Sequence, residues 1–455
     1  MLRIYAPAGH LGHGVPREAL EAALKLDPDL VALQGTSTDY GPYYLGANTT
    51  PQPLSAIERD LNVLLPRLKK AEVPFIVSCA GPGTDHTLNL TLRIMKRVAE
   101  RHSLKLDAYV LSGEISKEYL VERIHAGARI RRAADTEYLS EFLTVEDVRN
   151  AVRIVAQMGP EPIMTGLKMG VDMVCTGRAL DTALFAAYPL LKGYDKGLVM
   201  HMSKILECGA MSAEPPTSGD GMFAILEKDH FLVFPTNPKR KATVISIAAH
   251  SFYEREDPTR EWGPDGYLDL SQARYEQYDE RTVMVTGSRW VPVNIYTVKV
   301  EGVAHKGYRA VMICGARDPV FLENLDSILN GVKKRVRQYF SDVPPQDYEI
   351  HFHVYGRDAV LGPIEPEPNV LHEAGILVEV VAMKRQLAMD ICSYIRSTLF
   401  HYDHPALRGA AGNLAFPFSP MVLDAGEVYV FNVYHLLPLE DPCEPFRSSL
   451  IRIGG

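Results

Sequence analysis

The stretch Val171-Asp172-Met173-Val174-Cys175-Thr176-Gly177-Arg178-Ala179-Leu180-Asp181-Thr182-Ala183-Leu184-Phe185 reads as a buried strand that passes through one glycine and one arginine straight into a helix. Working outward, the same alternation fills the first half of the chain. Strands are expected at Leu2–Ala6, Leu30–Gln34, Pro74–Ser78, Asp107–Leu111 and Val171–Thr176. Helices are expected at Arg17–Leu26, Leu54–Lys70, Leu88–Arg101, Lys117–Ala126, Val145–Met158 and Arg178–Leu190. In Leu54–Lys70 the residues Leu61, Leu64, Leu65 and Leu68 recur at helical spacing and make one buried face. Strands alternating with helices predict a mainly parallel α/β domain over residues 1–220.

Beyond residue 221 the pattern changes to period-two segments rich in β-branched and aromatic residues. Thr243-Val244-Ile245-Ser246-Ile247, Val283-Met284-Val285-Thr286 and Tyr296-Thr297-Val298-Lys299-Val300 are of this kind, so residues 221–305 are expected to form an antiparallel β region. Strand 308–314, helix 319–340, strands 348–355 and 376–382, helix 384–400 and strand 428–435 then follow. That β-α-β-β-α-β order predicts a ferredoxin-like α+β domain over 306–455. Prolines at 215–216, 344–345 and 363–368 punctuate loops.

The 455 residues suit several domains at roughly 100–200 residues each. With 48 Lys plus Arg against 56 Asp plus Glu the chain lacks the basic excess of a nucleic-acid binder, and small molecules are the expected ligands. The first residues leave no room for an apolar signal region, and no run is long and apolar enough for a membrane span, so a cytoplasmic protein is expected. Cys79, Cys175, Cys208, Cys314, Cys392 and Cys443 are scattered singly and read as reduced, structural thiols. A homo-oligomer, with or without a small partner subunit, is expected at this size.

Ligands of open α/β sheets gather beyond the carboxyl ends of the strands. The loop Gly35 to Gly46 there is dense in hydroxyls: Ser37, Thr38 and Tyr43 can donate hydrogen bonds, and Asp39 can act as a general base. The same residues also suit an ordinary turn. In Ser78 to His86, Gly81 allows close approach to the backbone, while Asp85 reads equally as a proton shuttle or a helix cap. Gly177, Arg178 and Asp181 make an anion site at a helix start, unless Arg178 merely pairs with Asp181. Glu207 is an acid–base candidate; its neighbour Cys208 is a poor nucleophile, because an adjacent carboxylate raises a thiol pKa. His351, His353, His401, Asp403 and His404 offer imidazoles and a carboxylate to a metal, without the spacing of a closed motif. The glycines of Gly9-His10-Leu11-Gly12-His13-Gly14 do not match a dinucleotide loop, and no P-loop occurs anywhere.

The stretch Ser37 to Gly46 resembles the acyclic terpene utilisation AtuA-like family. So do Gly177 to Phe185, Lys204 to Ala210, Asn413 to Pro420 and Val433 to Leu436, so the likeness covers nearly the whole chain. The resemblance implies work on branched acids or their CoA thioesters and carries over no catalytic residue. The expected activity is addition or removal of water beside a carbonyl, with Asp39 and Glu207 as acid–base pair and Arg178 holding the carboxylate. The alternatives are a hydrolase or a metal-assisted lyase using the late histidines, and a non-catalytic subunit. No cofactor is named by the sequence, and a metal is not favoured.

Overall fold

Short, nearly continuous apolar runs become strands buried on both faces, as a helix-covered parallel sheet requires. In the computed structural model these are Leu2–Ala6, Leu30–Leu33, Phe75–Ser78, Met173–Thr176 and Leu106–Leu111, side by side in that order and all parallel. The structure describes residues 1–367, 372–405, 407–408 and 414–455, so Pro368 and Asn413 lie outside the described residues. Met173–Thr176, last of the five in sequence, is inserted between Phe75–Ser78 and Leu106–Leu111, so all five strands end at one edge of the sheet. Two apolar clusters cover the two faces; Leu61, Leu64, Leu65 and Leu68 of helix Leu54–Ala71 belong to one, and Ala183, Leu184 and Phe185 of helix Asp181–Leu191 to the other.

The chain divides into two compact units, residues 1–304 with 431–455, and residues 305–430. In the first, Met222–Leu226, His230–Pro235, Val283–Thr286 and Arg274–Gln277 extend the parallel sheet beyond Leu2–Ala6 with antiparallel strands. Ser448–Ile453 closes its opposite edge antiparallel to Leu106–Leu111. Part of the expected β region thus joins the main sheet, while Arg260–Gly263, Gly266–Asp269 and Arg289–Pro292 form a small sheet of their own.

Two elements differ from the sequence reading. Thr243–Ile247 is not a strand: Val244–Phe252 is a helix, started by a capping box in which the Thr243 side chain accepts from Ser246 N–H and the Ser246 side chain from Thr243 N–H. Val145–Met158 is not one helix: it is helix Val145–Asn150 followed by strand Ala151–Ala156, which pairs antiparallel with Val300–Ala304. A partner strand far along the chain overrides local helical spacing there.

The second unit carries helices Pro319–Glu323, Leu325–Tyr339 and Arg385–Phe400 around strands Tyr348–Tyr355 and Ala374–Ala382. The spatial order is Tyr348–Tyr355, Ala374–Ala382, Tyr296–Ala316, Val422–Leu439, with strands distant in sequence as neighbours. The α/β class with parallel and antiparallel sheets is therefore as the sequence indicated. Among the described residues no helix is long and apolar enough to cross a membrane.

Candidate functional site

The loops leaving the parallel strands are tied to one another by backbone groups and small side chains. Ser78 Oγ accepts from the backbone N–H of Gly35 at 2.7 Å and of Thr36 at 3.1 Å, and Ser37 N–H donates to Gly81 O at 3.0 Å. A Cβ on Gly177 would lie 2.4 Å from Gly113 N and 2.7 Å from Gly83 O, so this glycine is required by loop packing. Asp60, on helix Leu54–Ala71, accepts from the N–H of Gly12 at 2.7 Å, Val15 at 2.8 Å and Gly14 at 3.3 Å and so anchors the first loop.

Arg178 is the hub. Its side chain is buried; Nε donates to Glu301 Oε2 at 2.9 Å and Nη1 to Thr36 O at 3.1 Å and Asp181 Oδ1 at 3.4 Å. Nη2 has no hydrogen-bond partner among the described residues. Glu301 Oε1 accepts from Gln157 Nε2 at 3.0 Å and Thr38 Oγ1 at 3.1 Å, with Lys299 Nζ at 3.5 Å. Burial by itself would raise the Glu301 carboxyl; Arg178, Lys299 and the bonds outweigh it and hold it below its ordinary value. Asp181 has fewer such partners. Burial, with Asp39 and Glu301 nearby, pushes it up to about 6 against the pull of Arg178 and Lys204.

A second pair lies on and just beyond helix Lys196–Leu206. Lys204 Nζ donates to Glu207 Oε1 at 2.7 Å, and it also sits 4.8 Å from the centre of the Tyr253 ring. Burial dominates at Glu207, and with Asp181 and Glu261 it pushes the carboxyl up to about 8 despite Lys204. Cys208 Sγ lies 3.2 Å from Tyr253 OH, and burial beside Glu207 pushes its thiol up to about 12, so it is no thiolate at neutral pH. Asp181 feels Arg178, Asp39 and Lys204, and Glu207 feels Asp181, so both pairs belong to one electrostatic cluster.

Of the residues singled out in the sequence, Ser37, Thr38, Asp39, Gly177, Arg178, Asp181 and Glu207 come together here. Asp39 is exposed, with Oδ2 accepting from Ser37 Oγ at 2.8 Å. Tyr43, on the short helix Pro42–Ala47, is 45% exposed and packs edge-on to Tyr44. Gly81 has φ +80°, and a Cβ there would crowd Thr49 O and Thr50. Asp85 is engaged elsewhere: Ser112 Oγ and Arg447 Nη2 both donate to it, and Thr84 rather than Asp85 caps the helix Asp85–Arg101. Sequence reasoning misses Glu301 and Lys299, because both lie in an alternating β segment where a charged residue looks like the solvent face, and Gln157, because Val145–Met158 reads as one helix.

Lys299, Gln157 and Leu180 also line a cavity of about 490 Å³ with Trp262, Val298 and Tyr434. Another, of about 450 Å³, lies where Phe75–Ser78 and Met173–Thr176 begin, at the strand ends opposite the loops. The late histidines belong to the second unit. There His353 pairs with Glu379 at 3.0 Å, His351 approaches Glu349 at 3.4 Å, and Asp403 pairs with Arg335. Among the described residues no three His, Cys, Asp or Glu side chains are grouped to hold a metal ion.

The fold and cluster define an α/β protein with a polar site at the carboxyl edge of a parallel sheet. The family model for the acyclic terpene utilisation family protein AtuA matches residues 52–216 and 225–416, and the chain belongs to this family. That membership associates it with acyclic terpene utilisation. Neither the curated proteins nor the solved structures contain a match to the chain.

Proposed function

We propose that the protein is a cytoplasmic enzyme of the hydro-lyase type, acting on a small or branched carboxylic acid or its CoA thioester beside the carbonyl. The observation that carries this reading is the Glu207 carboxyl, bonded to Lys204 alone and pushed up to about 8 by burial and by Asp181, which itself feels Arg178. A carboxyl whose hold on its proton is raised towards neutral pH can act as a proton donor. In the dehydrating direction Asp39 takes the α-proton, the C–O bond breaks, and the hydroxyl leaves as water with the Glu207 proton. The free Nη2 of Arg178 holds the carboxylate or thioester oxygen on which charge develops.

The test is turnover and ligand-induced stabilisation of the purified protein with branched 3-hydroxy acids, their unsaturated counterparts and the CoA thioesters of both. A ligand present at 100 times its Kd should stabilise the protein by about 2.7 kcal/mol, and Glu207→Gln should keep that stabilisation while losing turnover. No stabilisation and no turnover by any of them overturns the reading. Activity that appears only with a copurified second chain replaces it with the subunit reading.

A further inference from the structure

Several buried polar atoms at the carboxyl edge of the sheet lack hydrogen-bond partners. His10 Nε2, Thr36 Oγ1 and Thr182 Oγ1 are buried with none among the described residues. Leaving such a group unpaired is unfavourable, so several at one edge point to a ligand that pairs them.

His10 is the most informative. It is 4% exposed, and its Nδ1 lies 2.9 Å from the carbonyl oxygen of Leu11. A carbonyl can only accept, so Nδ1 carries the hydrogen and Nε2 presents a lone pair. Burial, with His13 and Arg178 adding to it against the Leu11 bond, pushes the imidazole down to about 4 and keeps it neutral. The ring is held in place: His13 stacks on it at 4.9 Å, Tyr40 meets it edge-on at 6.2 Å, and Leu11 N–H donates to Gln34 O at 2.8 Å. It also belongs to the Arg178 cluster. Arg178 acts on its charge, Arg178 Nη1 donates to Thr36 O, and a Cβ on the adjacent Gly9 would lie 2.5 Å from Cys208 O, next to Glu207.

We infer that His10 is a substrate-contacting residue whose Nε2 accepts the hydrogen of a hydroxyl on the ligand, so that the site selects a hydroxy acid or hydroxyacyl thioester over its deoxy counterpart. This rests on the function proposed above and narrows its substrate class. The hydroxyl then donates to His10 while its oxygen is free to receive the Glu207 proton; in the hydrating direction the same lone pair orients the attacking water. His10 itself stays neutral throughout.

The experiment measures binding of 3-hydroxy-3-methylbutanoate and 3-methylbutanoate, and of their CoA thioesters, to the whole protein by calorimetry. The wild type should bind the hydroxy compound roughly tenfold more tightly than the deoxy one, one hydrogen bond's worth of discrimination. His10→Asn places its amide near Nδ1, keeps the bond to Leu11 O and loses the acceptor, so the preference should vanish with deoxy binding unchanged. His10→Gln reaches the Nε2 position and should restore part of it. Equal binding of both compounds by the wild type, or a preference that survives in His10→Asn, overturns the role of His10 while leaving the acid-binding reading intact. Failure of every acid and thioester to bind overturns that reading and the hydroxyl selection with it.

Discussion

Arg178–Glu301 and Lys204–Glu207 are two buried cation–carboxylate pairs in one cluster, with contacts of 2.9 and 2.7 Å, yet their carboxyls are displaced in opposite directions. Partner count is the difference. Glu301 has Arg178 on one oxygen and Thr38, Gln157 and Lys299 on the other, and these overcome burial. Glu207 has Lys204 alone, with Asp181 and Glu261 adding repulsion, and burial prevails. A fully satisfied carboxylate is a structural strut, whereas a singly bonded one keeps a proton to give.

Four changes break or sharpen that contrast. Glu301→Gln leaves the buried Arg178 charge without its main counter-ion, and should destabilise the protein by about 3–5 kcal/mol in urea unfolding. A loss too small to resolve would remove Glu301 as the strut. At pH 5 Glu207→Gln should unfold at nearly the wild-type midpoint, and it should lower turnover by about 10²–10⁴-fold, as steady-state rates would show.

The pH dependence of stability comes next. Glu207 is raised on folding from 4.5 to about 8, so its contribution is complete below 4.5 and is lost as pH rises towards 8. Glu301 has the opposite sign: its contribution is present above 4.5 and is lost as pH falls through its folded value. The stability of the wild type relative to Glu207→Gln, from urea unfolding at pH 5 to 8, should therefore fall as pH rises, by at most about 1.4 kcal/mol per pH unit for one proton. A difference that stays constant with pH would show that Glu207 does not titrate in this range. The smallest effect is expected for Thr38→Val, which removes one donor to Glu301 and should cost about 1 kcal/mol in the same unfolding measurement.

Much of this site could be read in the chain because its parts sit at strand ends. Thr38, Arg178 and Asp181 follow strands within a few residues, and the glycines and hydroxyls around them mark loops. Glu301 left no such mark. It lies 123 positions from Arg178, in a strand whose alternation suggested one wet face, and its burial follows from the pairing of Val300–Ala304 with Ala151–Ala156. The same pairing decided Ala151–Ala156 itself, whose residues also fit a helix. At Thr243–Ile247 a local signal existed, the Thr243 and Ser246 capping pair, but serine at the third helical position is a weaker mark than glutamate or glutamine. The glycines around His10 match no dinucleotide pattern, and its open nitrogen follows from the Leu11 carbonyl, a backbone geometry that spacing does not encode.

By itself the sequence determined what depends on neighbours along the chain: the strand and helix alternation, the loops at the strand ends, the family, and the presence of Arg178 in such a loop. Tertiary structure alone decided which carboxyl is satisfied and which keeps its proton. That choice depends on the number of donors converging on each oxygen and on the water excluded around it, and those donors come from segments more than a hundred residues apart.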